Sequence, residues 1–352
     1  MSESSDRPLV TFALFAYNQE RFIREAVAGA LAQDYSPLEI ILSDDCSEDR
    51  TYEIMCEMAE GYTGPHSLVL NRNCANLGGH GIGQHVNVVL QMSRGELIIF
   101  AAGDDISLPQ RTSTLIGAWI RASKPDGLLH SAIQLLSING TPGAIVHGNA
   151  RFGDLSLREC ARIEAAGVLG AANAITRSVF GYFDKLADGT FFEDRTLAFR
   201  SLMIGKVIYI ESHLVQYRQH RNNISGRQMY KDEARWAKWN EGLCVLHRSF
   251  LYDYLNYCKL NKQSTDSEVI YEISKAMRRA ERTRFLVSGT QFKRMLAMVV
   301  LLSNMPFPSR ISFILHRAGL ENTYLYQFLV RVLHFFRHSM VIIKKALGVL
   351  HG

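Results

Sequence analysis

The chain has 352 residues, 47% of them apolar and 21% charged, with a net charge of +5. This is the balance of an ordinary folded protein with a sizeable core, and it excludes a collagen, a coiled-coil rod and a disordered chain. The charge is uneven: residues 282–352 hold ten Lys/Arg against one acid, Glu321, a balance of +9 that leaves −4 for the rest.

Strand and helix signals alternate from the start. Residues 9–15 (LVTFALF) form a compact apolar, β-prone run. Residues 19–33 follow with helical periodicity, placing Phe22, Ile23, Ala26, Val27, Ala30 and Leu31 on one side. Residues 38–42 (LEIIL) read as a second buried strand, and Ser47 then starts a helix with Asp49 in its first turn. Residues 67–70 form a short third strand. A glycine-rich turn over 78–83, holding His80, leads into a helix over 83–92 with His85. Residues 97–101 (LIIFA) are a fourth buried strand, and Pro109 opens the next helix at a position that tolerates proline. Strands apolar throughout, separated by helices, predict a mostly parallel sheet covered on both faces. Such sheets bind ligands beyond the carboxyl ends of their strands.

The middle third is less regular. Glycine and polar clusters at 139–143 and 148–153 predict loops and hairpins, residues 192–204 a helix, and residues 206–210 a strand. From about Gln228 the pattern turns helical, over 233–257, 266–287 and 325–350. A boundary is expected in the polar segment 221–227, giving an α/β domain over 1–226 and a helical region over 227–352.

Two acidic turns follow buried strands: Ser43-Asp44-Asp45 after the second, and Gly103-Asp104-Asp105 after the fourth. Neighbouring carboxylates repel and want a partner. A hard cation is one, since Mg²⁺ is typically held by one or two carboxylates plus substrate phosphates; a ribose hydroxyl is another. Either turn alone suits helix capping as well as it suits a functional site. Two such turns at the ends of neighbouring strands favour a nucleotide and metal site. Glu193-Asp194 suits either a catalytic pair or the charged first turn of a helix. His220, in an Arg218–Arg221 cluster, suits a diphosphate or metal contact, or a surface histidine bonded to backbone.

These motifs, taken in order, resemble family 2 glycosyltransferases. The likeness is carried by AYN at 16–18, ALAQDYSPLEIILSDDCSEDRT at 30–51, Arg72-x-x-x-Asn76-x-Gly78 and RGELIIFAAGDDISLPQR at 94–111. Glu193-Asp194 and YRQHRNNIS at 217–225 continue it. The resemblance implies a GT-A fold and inverting transfer of a sugar from a nucleotide-diphosphate donor, expected to be uridine-linked, with Mg²⁺ or Mn²⁺ as cofactor. It places Tyr17 against the base, Asp44 and Asp45 at the nucleotide, and Arg72 near base and phosphates. Asp104 matches the acid at ribose and metal, Asp105 the neighbouring metal ligand, Asp194 the catalytic base, with Glu193 as second choice. Two positions depart from the family: Ala102 stands where an Asp often sits two residues before Asp104, and Phe15 stands in place of a small hydroxyl residue. Ala102 motivates a rival reading, a degenerate nucleotide-sugar binder or scaffold. A sugar nucleotidyltransferase is a second rival, but residues 16–24 offer no glycine-rich, lysine-bearing triphosphate loop.

The six cysteines form no C-x-x-C pair or zinc spacing, and the N-terminus lacks a basic stretch followed by a cleavable apolar one. A cytoplasmic location with free thiols is expected. The tail combines Phe328, Leu329, Val332, Phe335 and Phe336 with Arg331, Arg337, Lys344 and Lys345. That mixture suits a peripheral contact with the inner face of a membrane or packing on protein. The expected partners are the donor and a carbohydrate or lipid-linked acceptor, in surface-polysaccharide or glycolipid assembly, and no nucleic acid.

Overall fold

The computed structural model describes residues 7–220, 223 and 233–288. The chain divides into two compact units: Met1–Gly226 with Glu241–Ala280, and Arg227–Asn240 with Glu281–Gly352. Of the second unit the described residues, 233–240 and 281–288, are helical.

The first unit is built on a nine-stranded sheet. Strands β1 (Val10–Ala16), β2 (Leu38–Asp44), β3 (Ser67–Arg72) and β4 (Leu97–Ala102) run parallel in the order β3-β2-β1-β4. Every residue of β1 and β2 is buried, which is why they carry mostly apolar runs without alternation, Thr11 and Glu39 being paired with each other. Beyond β4 the sheet turns mixed. The short β5 (Ile106–Ser107) lies at the far edge, β6 (Gly127–Ser137) pairs β7 (Pro142–Val146) as a hairpin, and β8 (Asn173–Thr176) is antiparallel between β4 and β6. Strand β9 (Lys206–Gln219) runs parallel to β6 and ends beside β5.

Helices α1 (Ile23–Leu31), α2 (Thr51–Glu60), α3 (Gly83–Met92) and α4 (Arg111–Arg121) connect the first strands. Phe12, Leu14, Ile40, Leu42, Leu97 and Ile99 pack with Ile23, Val27, Met55, Leu115 and Trp119 into one core. Each such side chain contributes roughly 1.5–3 kcal/mol on burial. Later in the chain come α5 (Leu157–Arg162), α6 (Arg177–Tyr182), α7 (Glu193–Ile204), α8 (Glu233–Leu260) and α9 (Ser267–Ser288).

The predicted parallel strands and covering helices are present, with shifted starts. Helix α1 begins at Ile23, not Gln19, and α2 at Thr51, not Ser47. In both places polar side chains bond across to another turn instead of continuing a helix. The predicted strand over 206–210 runs on to Gln219, past register shifts against β6 around Ala132. No described helix is long and apolar enough to cross a membrane. The basic helix predicted over 325–350 and the boundary segment over 224–227 lie outside the described residues.

Candidate active site

The carboxyl ends of β1, β2, β3 and β4 meet at one edge. Register places Ala16 opposite Asp44, Asp44 opposite Arg72, and Phe15 opposite Ala102. The turns after β2 and β4 therefore flank the end of β1, about two strand spacings, or roughly 10 Å, apart.

On the β2 side the turns over 17–20 and 45–51 are laced together. Asn18 and Cys46 both take positive φ. The amide of Asn18 donates to the Ser47 hydroxyl at 2.9 Å, that of Gln19 to the Thr51 hydroxyl at 2.7 Å, and that of Glu20 to Asp49 at 3.0 Å. In return the amide of Glu48 donates to the Asn18 side-chain carbonyl at 2.9 Å. This lacing holds Tyr17 on the rim, the residue 41% exposed. An exposed flat ring on a fixed turn can stack on a planar base.

Asp44 is fully buried at the floor of this turn. Its carboxylate accepts the amide of Ser47 at 2.9 Å and the Ser47 hydroxyl at 2.5 Å. Arg72 reaches in from β3, its Nε 3.6 Å from Asp44 Oδ2, while its Nη2 donates to the Ser47 carbonyl at 2.9 Å. The guanidinium also lies over the Tyr52 ring at 4.9 Å.

Asp45 faces the other way. Its oxygens accept the Asn73 amide group at 2.7 Å and the backbone amides of Leu77 at 3.0 Å and Gly78 at 2.7 Å. It thereby ties the glycine-rich segment to the sheet. Behind it, His85 is bonded to the Ser43 hydroxyl at 2.7 Å, and Asn71 donates to Ser43 and Asn73. Burial lowers the His85 pKa against the raising pull of Asp45 and Asp44. Gly81, at φ 139°, lets that segment pass against Thr190, whose carbonyl accepts the Gly83 amide at 3.0 Å.

On the β4 side, Asp104 and Asp105 are covered by the end of β9. The backbone amide of Arg218 donates to Asp105 Oδ1 at 2.8 Å, and the Arg218 Nε to the Asp104 carbonyl at 3.1 Å. Arg218 is buried, paired with Glu25 of α1 at 3.0 Å and lying over the Phe22 ring at 5.0 Å. His220 stacks on the same ring, centroids 4.9 Å apart, and its Nε2 is 2.8 Å from Asp104 Oδ2. Asp105 Oδ2 is buried with no hydrogen-bond partner. Burial, then the charge of Asp104, holds the Asp105 pKa well above the usual carboxylate value; the Arg218 amide and the Arg111 and Arg218 charges pull the other way.

Glu193 and Asp194 open α7. Burial raises the Asp194 pKa, opposed by Arg195 and by backbone amides that include Gly170. Burial, with the charge of Asp194, pushes Glu193 up to about 8. Arg111, fully buried, links this pair to β4: its Nη2 donates to the Phe100 carbonyl at 2.6 Å and to the Ala171 carbonyl, one residue beyond Gly170, at 3.2 Å. Burial lowers the Arg111 pKa to about 9.

The predicted residues thus fall into three adjoining groups: Tyr17, Asp44, Arg72 and the inward Asp45 around the β2 end; Asp104, Asp105 and His220 around the β4 end; and Glu193 with Asp194 at the start of α7. Sequence reasoning missed Phe22, Arg218 as a covering group, and Arg111 as a link. The Arg218-x-His220 spacing on a strand was the available signal for the second of these, since it places both side chains on one face. For a cation, Asp104 and His220 offer two donor atoms. Among the described residues no three His, Cys, Asp or Glu side chains converge to hold one unaided. The donor set fits the mode in which one or two carboxylates share the ion with substrate phosphates.

Comparison with known proteins supplies the rest. Residues 11–125 match the model of Glycosyl transferase family 2. The chain is 25% identical over 244 residues to an uncharacterized glycosyltransferase of Rickettsia typhi, covering 67% of this chain and 73% of that one. Among solved structures, it is similar to residues 1–349 of TarS from S. aureus in complex with UDP, with TM-score 0.55 and 16% identity over 88% of this chain and 87% of that one. Against the longer TarS structure it spans about half of that chain (52%). It is also similar to the mannosyltransferase PcManGT of Pyrobaculum calidifontis in complex with GDP-Man and Mn²⁺, with TM-score 0.52 and 16% identity over 96% and 87% of the two chains. Residues 11–125, about a third of the chain, thus match the model of Glycosyl transferase family 2, and the fold built around them is similar to that of solved glycosyltransferases.

Proposed function

We propose that the chain transfers a sugar, with inversion, from a uridine-diphosphate donor to an acceptor hydroxyl. The observation that supports this reading is the placement of two acidic turns on either side of the β1 end, with Arg111 bonding both the Phe100 carbonyl of β4 and the Ala171 carbonyl, next to the Gly170 that meets Asp194. The complexes of TarS with UDP and of PcManGT with GDP-Man and Mn²⁺ support a nucleotide-sugar donor.

Tyr17 would stack on the base, and Asp44, fixed by Ser47, would accept from it. Arg72 lies beside Asp44 and would face base and phosphates. Asp45 acts behind them by holding the 77–78 backbone. Asp104 and His220, with Asp105 below, would hold Mg²⁺ or Mn²⁺. A bound divalent cation supplies Lewis-acid stabilisation of the charge that develops on the leaving diphosphate. Asp194 would accept the proton of the attacking acceptor hydroxyl, a contribution typically of about 10²–10⁴-fold in rate. Burial raises its pKa, which makes the ionised carboxylate a stronger proton acceptor. The acceptor would be a carbohydrate or a lipid-linked sugar, in polysaccharide or glycolipid assembly, at the inner face of a membrane.

The position of Ala102 favours a second reading, a domain that binds nucleotide sugar without turning it over. Incubation with UDP-sugars and Mn²⁺ separates the two. Slow donor hydrolysis without acceptor, lost in Asp194→Asn while donor binding persists, supports the transferase. Donor binding with no turnover under any acceptor supports the binder, and no thermal shift with any UDP-sugar removes both.

A further inference from the structure

At the opposite edge of the sheet lies a cleft of about 460 Å³. Asp126, on its wall, immediately precedes β6; Ile204, on its floor, ends α7 just before β9; Ser178 follows β8, whose Thr176 pairs with Leu97, the first residue of β4. The cleft therefore opens at the amino ends of β4, β6 and β9. Strand β4 alone separates it from the Asp104 turn by about 20 Å.

Two tyrosines form one side. Tyr182, 37% exposed, and Tyr257 face each other with centroids 6.1 Å apart and planes inclined at 50°. Asn261 holds the Tyr182 side chain, donating to its hydroxyl at 2.5 Å, and is itself anchored on the backbone carbonyl of Tyr257 at 2.8 Å. Opposite them the Ser178 hydroxyl donates to Asp126 Oδ1 at 2.5 Å and is itself bonded to Thr176 at 2.7 Å. Met203 and Ile204 complete the floor.

This set of groups selects a chemistry. A pyranose has apolar C–H faces and a rim of hydroxyls. Tyrosine rings take the faces at low conformational cost. Short planar carboxylate and amide groups, and a hydroxyl, take the rim, because each can accept or donate to adjacent hydroxyls. The lining contains Asp126 and no Lys or Arg, so a phosphate, a nucleotide or an acidic sugar finds no counter-charge there. The volume is that of an ordinary ligand cleft, roughly 300–1,000 Å³. The groups are already held in place by one another, so binding does not have to order them.

We propose that this cleft is a second carbohydrate site, for a neutral pyranose chain, separate from the donor site. Its use in catalysis rests on the transferase reading above: a chain held here by one segment would present another to the active edge at raised effective concentration. Binding itself does not depend on that reading.

The test uses the full chain labelled with ¹³C-methyl methionine, the Met203 resonance being assigned through Met203→Leu. Maltotriose, cellotriose and chitotriose are added separately at millimolar concentration. At least one is expected to shift the Met203 methyl saturably, and a trigalacturonate is not. Tyr182→Ala and Asn261→Ala, both at exposed positions, are expected to weaken that binding at least about tenfold with the melting temperature preserved, tenfold being about 1.4 kcal/mol. Asp194→Asn is expected to leave it unchanged. Absence of a shift with all three sugars overturns the proposal, as does a shift that persists at full affinity in both variants. A saturable Met203 shift in a protein that never turns over a donor would remove the transferase reading and leave the second site standing.

Discussion

The imidazole of His220, at the end of β9, lies 2.8 Å from the carboxylate of Asp104, beyond β4, while its ring stacks on Phe22 at the head of α1. Three elements distant in sequence thus fix one nitrogen beside one carboxylate oxygen. If the pair holds a cation with the donor diphosphate, His220→Ala should weaken Mn²⁺-dependent UDP binding by about 10–100-fold, the range seen when a metal's supporting groups are removed. Binding of UDP without Mn²⁺ should be unaffected. Titration calorimetry with and without Mn²⁺ reads both, and equal Mn²⁺ dependence in variant and parent would take His220 out of the site.

If Asp194 is the base, Asp194→Asn should keep donor affinity and lose transfer by about 10²–10⁴-fold, because the isosteric amide preserves the contact with the Gly170 amide and removes only the proton acceptor. A change confined to KM would assign Asp194 to binding.

Glu193 discriminates the two acids of the pair. Its pKa stands at about 8 against a usual 4.5, through burial first and then the charge of Asp194. The folded state therefore binds this proton more tightly than the unfolded chain, and stability must fall as pH rises from about 4.5 to about 8. Glu193→Gln should flatten that slope, measured as melting temperature against pH. If Asp194 takes the proton, the variant should also keep transfer and the rising limb of the rate with pH. Disappearance of the rising limb in Glu193→Gln would make Glu193 the base.

Gly81 tests the packing between the glycine-rich segment and the loop before α7. At φ 139° a Cβ there would lie 2.5 Å from the Thr190 carbonyl oxygen, so Gly81→Ala meets both backbone strain and a clash. Strained φ/ψ of this kind costs of order 1–3 kcal/mol. Gly140, at φ 83° with open space around it, is the control. Denaturant unfolding should show Gly81→Ala well below Gly140→Ala in stability. Equal losses would mean that the close approach to Thr190 is not maintained in solution.

The parts of this architecture legible in the sequence are those where burial on both faces leaves a nearly continuous apolar signature. Strands β1, β2 and β4 are read directly, and the acids at their ends follow from the position of the strands. The mixed half is not legible for a physical reason. Strand β6 places His130, Ser131 and Gln134 inside an apolar run, and its pairing with β8 and β9 comes from segments over 40 residues away. Strand β9 carries exposed residues after Ile210, so only its first five residues give a clear strand signal. The helix expected at Ser47 begins at Thr51, because Ser47 and Asp49 spend their side chains on the turn over 17–20. Asp44 and Asp45 look equivalent in sequence, yet neighbouring positions at a strand end point to opposite faces, and only Asp44 sits with Arg72 and Ser47.

Arg200 of α7 and Asp253 of α8 carry the last expectation, which concerns where the folded unit ends. Both are buried, and they form two parallel bonds, Nε to Oδ2 at 2.7 Å and Nη2 to Oδ1 at 3.0 Å. Burial raises the Asp253 pKa, and the Arg200 charge opposes the rise. Phe199 and Phe250 stack beside the pair at 4.2 Å. Removing one partner of a buried ion pair leaves a charge without solvent or counter-charge, at a cost of about 3–5 kcal/mol. Asp253→Ala should lose that much, whereas exposed Tyr271→Ala should stay within about 0.5 kcal/mol. By the same argument a chain ended after Gly226 lacks Asp253 and Phe250 altogether, leaving Arg200 unpaired and Phe199 uncovered. It should not show a cooperative thermal transition, while one extended through residue 280 should. A sharp transition in the shorter chain would place the boundary of the catalytic unit at residue 226.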